Sequence, residues 1–451
     1  MPEDGPSAYR CWYPILMITL CLKLVLGTAI SLRGAPKAIH AVFSSYAILA
    51  AKKIPSYKTV RRWITRMGHY KLHCPLEQGD DWALMIDASI QTGPHKCLMV
   101  LGVRLSQMKT GKSLALEDLT PLVLEMHTHC NAQTVYAALH KAQLRIGRIQ
   151  MVCSDQGSDI AAGIRLYQES HPETAYIPDI THRMARFLKH NLENDQKWMQ
   201  FCQLAAQTKN RVQQTHLAHL SPPNQRSKCR FMNLEALVGW GKKILLFLER
   251  ERNNPTHDLK AITEYFGWVH GFADLITLCG EMLEISQEAR CLVREEGVHR
   301  GIAKKLETAL LPLPLCERAC QLAGEVIDFL EEQAEKVPEG LSWIGSSEAI
   351  ESLFGKLKHM EQDQNTNGFT AYVLAAVACV GKIDARTVDQ ALRQSRNCDI
   401  TIWEQQNLGI TVQAKRKQCL LAREISASIE SGPQMVQDIS GFIEENLLIA
   451  I

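Results

Sequence analysis

Apolar residues along this chain recur first at helical spacing, then at strand spacing, then at helical spacing again. Over residues 12–70 the period is that of helices. One is expected in the apolar run 11–30 and a second over 34–49, with Pro36 tolerated in its first turn. A third is capped by Ser56 and stopped by Gly68. In this third helix Val60, Trp63, Ile64 and Met67 fall at i, i+3, i+4 and i+7 and form one buried stripe. Lys58, Arg61, Arg62 and Arg66 lie off that stripe. A helix, a short connection and a helix with a basic outer face is a helix-turn-helix layout, whose second helix enters a major groove. Lys58, Arg61 and Arg62 are candidates for base contact, and Arg66 equally for phosphate.

From Asp81 the apolar period shortens. Runs 82–90 and 96–104, joined around Gly93-Pro94, read as an antiparallel hairpin. Residues 119–127 read as a third strand, 131–146 as a helix ended by Gly147, and 149–153 as a buried parallel strand. A helix over 158–168, a fifth strand over 174–180 and a basic helix over 181–191 complete the series. Three strands, helix, strand, helix, strand is the order of a ribonuclease-H-like core. The expected fold class is therefore an α/β catalytic core with a mixed five-stranded sheet, preceded by an all-α helix-turn-helix domain.

Residues 192–340 show long helical periods, with breaks at Pro222-Pro223, Pro255 and Pro312. They read as a large α-helical insertion, and Gly345-Ser346 mark the return to the core. The expected organisation is a helix-turn-helix domain over 1–78, the first part of the core over 79–191 and the insertion over 192–344. The last part of the core, with an acid-bearing helix, follows over 345–400, and a helical tail over 401–451. In the insertion, Trp240 and Trp268 are open to two readings, core packing or stacking on a flipped base.

Composition adds limits. At 451 residues, 46% hydrophobic and 22% charged, the chain can bury a large core and is not a disordered polymer. Net charge is only +2, but residues 1–78 hold eleven Lys or Arg against three acids, and five acids with no base follow Arg423. A polyanionic partner for the basic end is the natural reading. Fifteen cysteines without a CxxC pair imply a reducing compartment and no disulfide framework. Cys316 with Cys320, and His127 with His129 and Cys130, lack the two spaced ligand pairs of zinc sites and read as packing residues. The apolar run near the start follows Glu3 and Asp4 and is interrupted by Lys23, so neither export nor a membrane span is expected.

Three acids then stand out. Asp87 closes the run Trp-Ala-Leu-Met-Ile-Asp, Asp155 closes a second apolar strand, and Glu351 borders the apolar stripe of an amphipathic helix over 346–359. Ionised carboxylates at the ends of buried strands are costly unless paired, and three together repel unless cations lie between them. Acids on strand, strand and helix are what two-metal phosphoryl transfer uses. On the helix, Ile350, Leu353, Phe354 and Leu357 form the stripe. Glu351 shares a line with Ser347 and Lys358, so Lys358 is open to two readings, a plain surface lysine or a contact to a phosphate near the metals. Glu348 points elsewhere, where a first-turn carboxylate suits the helix dipole. A ribonuclease H would want one more carboxylate on the helix after the third strand, and residues 131–150 contain no Asp or Glu.

Asp87, Asp155 and Glu351 resemble the DDE triad of cut-and-paste transposases. Asp179-Ile180-Thr181-His182 resembles the C/D-x-x-H signature of mutator-like and hAT-like elements, which also carry a helical insertion before the glutamate. The stretch Pro55-Ser56 to Gly68 resembles the helix-turn-helix of bacterial insertion-sequence transposases. The tyrosine–arginine partners of some DDE groups are missing, since Trp343 and Ile344 occupy that neighbourhood.

The resemblance implies catalytic roles for Asp87, Asp155, Glu351 and His182, the first three holding Mg²⁺, for which Mn²⁺ should substitute. It implies backbone contacts from Arg183, Arg186 and Lys189. It further implies terminal inverted repeats and target DNA as partners, a homodimer or higher assembly that pairs two ends, and a cytoplasmic, nucleoid-associated place in a prokaryote. The alternatives are a domesticated, non-cleaving DNA-binding protein and a nuclease on the same fold.

Overall fold

The computed structural model describes residues 9, 11–28, 30–45, 53–92, 95–108, 111–225, 233–253, 259–362, 369–409 and 416–421. Five strands form one sheet in the order β3-β2-β1-β4-β5. They are β1 (Gly79–Thr92), β2 (His95–Arg104), β3 (Thr120–His127), β4 (Gly147–Ser154) and β5 (Ala175–Pro178). The β1/β2 and β2/β3 pairs are antiparallel, and the β1/β4 and β4/β5 pairs are parallel. This is the ribonuclease-H-like arrangement. The Gly93-Pro94 turn between β1 and β2 lies outside the described residues.

Both faces of the sheet are covered, and the strand period of two decides which side chain goes where. Trp82, Leu84 and Ile86 face α4 (Ala132–Ile146) and α5 (Ser158–Ser170), in one apolar cluster with Leu98, Val100 and Val152. Ala83 and Met85 face the opposite way, into the large cluster that also holds Met99, Met151 and Cys153. Gly147, at φ 92°, ends α4 and starts β4 in a conformation that side chains disfavour.

Asp87 continues the 83-85 alternation and so projects to the second face. It does not close its strand, as the hydrophobic run suggested. β1 continues to Thr92, and the pairing with β2 shifts register between Asp87 and Ile90. A bulge of this kind re-aims side chains within a strand that goes on pairing. The remaining strands begin or end within a few residues of expectation; the fifth is the four residues Ala175–Pro178.

The apolar cluster on the second face is built with helices from three parts of the chain. From the start come α1 (Ile15–Leu22), continued by a π turn (Lys23–Gly27), α2 (Gly34–Ser44) and α3 (Tyr57–His73). The expected end of α2 at residue 49 lies outside the described residues. After β5 come α6 (Ile180–Leu192), α7 (Gln196–Val212), α8 (Leu234–Asn253), α9 (Leu259–Phe266), α10 (Ala273–Glu296), α11 (Ile302–Leu310) and α12 (Glu317–Glu335). The described part of the insertion is thus helical, apart from an isolated bridge between Val298 and Trp343. The chain returns through α13 (Glu348–Gln362), α14 (Leu374–Ala378), α15 (Ala385–Gln394) and α16 (Asn397–Leu408). Most of the expected tail beyond residue 408 lies outside the described residues.

One expectation about the N-terminal helices needs correction. Gly68 does not stop α3, which runs on to His73. It is a site of close approach instead: a Cβ there would lie 2.0 Å from the Leu374 carbonyl oxygen of α14. These helices also share an apolar core with the sheet. Val60, Trp63, Ile64 and Met67 belong to the same apolar cluster as Ala83 and Met85 of the sheet and Leu374–Ala378 of α14. Lys71 is buried and donates to the carbonyls of Ala378 (3.1 Å) and Val380 (2.5 Å) just past the end of α14. An ammonium there satisfies orphan carbonyls and favours the negative helix end. Burial pushes its pKa down to about 8.

Candidate active site

Asp87, Asp155, His182 and Glu351 line one cavity of about 410 Å³, with Ala88, Phe354, Gly355 and Lys358 completing it. Each comes from an element already placed. Asp87 arrives on the helix-covered face of β1 at the bulge. Asp155 follows the last residue of β4, which pairs with β1, so both strands deliver their acids side by side. His182 sits in the first turn of α6, and Glu351 in the first turn of α13. The apolar stripe Ile350, Leu353, Phe354 and Leu357 is buried, which presses α13 onto the core and turns Glu351 toward the strands.

The carboxylates in the cavity act on one another electrostatically. Burial pushes the Asp87 carboxyl up to about 7, assisted by the neighbouring Asp155 and Glu351 charges and opposed by the Ala88 amide and His182. The Ala88 amide donates to Asp87 Oδ1 at 2.6 Å. His182 Nδ1 lies 3.7 Å from Glu351 Oε1 and 3.1 Å from Asp179 Oδ1. Asp179 is fully buried. Burial alone would raise its pKa, but hydrogen bonds from His182 and Ser347 outweigh that and hold it below the usual carboxylate range. An ionised carboxylate can only accept, so His182 Nδ1 carries a proton toward Asp179.

Glu348 goes elsewhere. It accepts from Thr181 Oγ1 at 3.0 Å and pairs with Arg294 at 3.5 Å. It lines a larger cavity of about 680 Å³ that contains none of the three acids above. One turn of α13 thus separates a carboxylate held by neighbours from one turned toward Asp87 and Asp155.

The basic residues expected to touch DNA divide into two groups. Lys58 and Arg62 are exposed on α3, and Lys358 is exposed at the rim of the acidic cavity. Arg186 and Lys189 line an adjoining cavity of about 300 Å³ together with Asp155 and His182. Arg186 also donates to Gln156, and Lys189 pairs with Glu193 at 3.6 Å.

The other group is engaged in the fold. Arg66 donates to the Ser395 carbonyl at 2.6 Å and to the Leu392 carbonyl, closing the end of α15. Arg61 donates to Thr370 Oγ1 at 3.1 Å and lies over the Tyr372 ring. Arg183 is stacked between Phe187 and Phe329, joining α6 to α12. These three guanidiniums tie helices together in the fold. The basic face of α3 is correspondingly narrower than its helical period suggested. Trp240 and Trp268 resolve to core packing: their indole N–H groups donate to Leu220 O and Thr208 Oγ1, inside an aromatic cluster with Phe201 and Phe272.

Sequence reasoning missed what Asp179 does beyond His182. Its second oxygen, Oδ2, accepts from the Ser347 amide at 2.6 Å and from Ser347 Oγ at 2.9 Å. The Asp-x-x-His spacing showed one half of this; Ser347, 168 positions away, carried no local signal.

No family model matches the chain, and no curated protein matches it. Among solved structures, the Drosophila P element transposase strand transfer complex is similar, with a TM-score of 0.38 and 12% identity over 87% of this chain and 94% of that one. Similarity at that level decides nothing about chemistry. Among the described residues no helix is long and apolar enough to cross a membrane.

Proposed function

We propose that this chain is a DNA transposase of the DDE type, a polynucleotidyl transferase that binds transposon ends and performs metal-dependent strand cleavage and strand transfer. The observation that carries the reading is the convergence of Asp87, Asp155 and Glu351, from β1, β4 and α13, on one open cavity beside His182. Among the described residues no three His, Cys, Asp or Glu stand close enough to ring a metal ion. The donor set nevertheless suits one. The neighbouring acid charges help hold Asp87 protonated up to about pH 7. A hard divalent cation is what such all-oxygen donors take up, and Mg²⁺ or Mn²⁺ fits. Asp87, Asp155 and Glu351 would hold it, and when bound it would polarise the scissile phosphate and activate the attacking hydroxyl.

The chain's own groups do the rest. His182, its Nδ1 proton held by Asp179, stands at the cavity wall beside the acids. Lys358, Arg186 and Lys189 supply positive charge around the acids, where a phosphate backbone would lie. Lys58 and Arg62 add exposed positive charge on α3. A homodimer pairing two ends is part of the proposal. A bacterial insertion-sequence origin would rest on the likeness of residues 55–68 alone, where α3 runs on past Gly68 to His73.

The test is nicking of DNA bearing the element's terminal repeats in the presence of Mg²⁺. Asp87→Ala, Asp155→Ala and Glu351→Ala should each abolish cleavage and retain DNA binding, and Glu348→Gln should still cleave. Normal cleavage by the Glu351→Ala protein would refute the assignment.

A further inference from the structure

The acids of the proposed site come from elements far apart in the chain, so something must hold those elements in register. Asp179 lies where they meet. Its amide donates to the Ser154 carbonyl at 2.8 Å, at the end of the strand that delivers Asp155. Its Oδ1 accepts from the His182 amide at 2.7 Å and from His182 Nδ1 at 3.1 Å. Its Oδ2 accepts both Ser347 donors, at the start of the helix that carries Glu351. Beside it the Ile180 amide donates to the Gly345 carbonyl at 2.9 Å. One fully buried carboxylate thus caps α6 and ties down the residue before α13, while its own backbone is fixed to β4.

We infer that Asp179 is the positioning residue of the site. It sets where Glu351 and His182 stand relative to Asp155, and it does so through Ser347 as much as through His182. The inference rests on the metal-dependent reading above and deepens it. Four donors converge on two oxygens, one pair from each helix. An asparagine in its place would have the same shape but only one acceptor oxygen, and its NH₂ would face N–H groups on the other side. An amide can serve one helix and not both. Groups behind metal ligands act by orienting them, and their loss typically weakens metal binding by about 10–100-fold. The Thr181–Glu348 contact also links α6 to α13, but it bears on the carboxylate turned away from the acids.

The experiment compares wild type, Asp179→Asn and Ser347→Ala in the full chain. Mn²⁺ alone is titrated calorimetrically, and nicking of end DNA is followed over a range of Mn²⁺ and DNA concentrations. Asp179→Asn should bind Mn²⁺ about 10–100-fold more weakly, lose kcat with little change in KM for DNA, and recover partly at high Mn²⁺. Ser347→Ala removes one of the four hydrogen bonds and should fall between the two. A folded Asp179→Asn protein with wild-type Mn²⁺ affinity and kcat would overturn the inference. If Asp179→Asn does not unfold cooperatively, Ser347→Ala decides, and unchanged Mn²⁺ affinity there overturns it. Failure of wild type itself to bind Mn²⁺ or nick DNA would sink the metal-dependent reading and this inference with it. An active wild type with an indifferent Asp179→Asn would sink only the latter.

Discussion

Replacing Asp87 with asparagine should make the metal-free protein more stable at neutral pH while removing its chemistry. Asp87 carries a pKa raised from 3.8 to about 7, from burial first and from Asp155 and Glu351 next. The folded protein therefore binds this proton more tightly than the unfolded chain. That preference stabilises the fold below about pH 4 and is lost as pH rises toward 7. At about 1.4 kcal/mol per pH unit, the loss approaches ~4 kcal/mol once Asp87 is ionised. Asp87 is only partly covered and water reaches the cavity, so roughly half of that, about 2 kcal/mol, is the better expectation. The asparagine side chain cannot ionise, keeps the volume and can still accept from the Ala88 amide. Urea unfolding in EDTA at pH 5 and pH 8 measures the difference directly. The advantage of Asp87→Asn over wild type should widen by about 1–3 kcal/mol between the two pH values. Saturating Mg²⁺ should narrow or reverse it, because ligand binding then stabilises the wild type alone. A difference that does not change with pH, or an Asp87→Asn protein that is less stable at pH 8, would refute the electrostatic account of the cavity.

Other consequences follow from the packing. Gly68→Ala places a methyl against the backbone oxygen of Leu374, which cannot rotate away, so α3 must shift. A loss of about 1–3 kcal/mol is expected in chemical denaturation, despite the better helix propensity of Ala. Arg66→Ala frees two carbonyls at the end of α15 and should cost about 1–3 kcal/mol of stability with end-DNA affinity unchanged. Arg62→Glu, on the exposed side of the same helix, should do the reverse: equal stability and weaker, less salt-dependent DNA binding. Equal effects of the two on binding, measured by fluorescence anisotropy against salt, would contradict the division of the α3 arginines into packing and contact roles.

The core was readable from the sequence because its signals are local. Each strand of the sheet contains an apolar run, and each helix carries its own period. Asp155 could be placed for the same reason, at the end of such a run. Asp87 was placed on the right strand and the wrong part of it, since a bulge leaves no trace in an alternating pattern. The larger miss was in α3. Its off-stripe arginines look solvated on a helical wheel, and only the arrival of Thr370 and of the end of α15, more than 300 residues later, shows that Arg61 and Arg66 have partners. Gly68 misled for the same reason: glycine marks a helix end in sequence and a close helix contact in space. Asp179 shows the limit from the other side, because the half of its role that reaches His182 was visible in the spacing and the half that reaches Ser347 was not.

The most direct test of the central claim is where a divalent ion binds. Crystals of the full chain soaked in Mn²⁺ should give anomalous density in the cavity between Asp87, Asp155 and Glu351, and crystals of Asp155→Ala should lose it. Mn²⁺ found only elsewhere, with the three carboxylates left without an ion, would contradict the account.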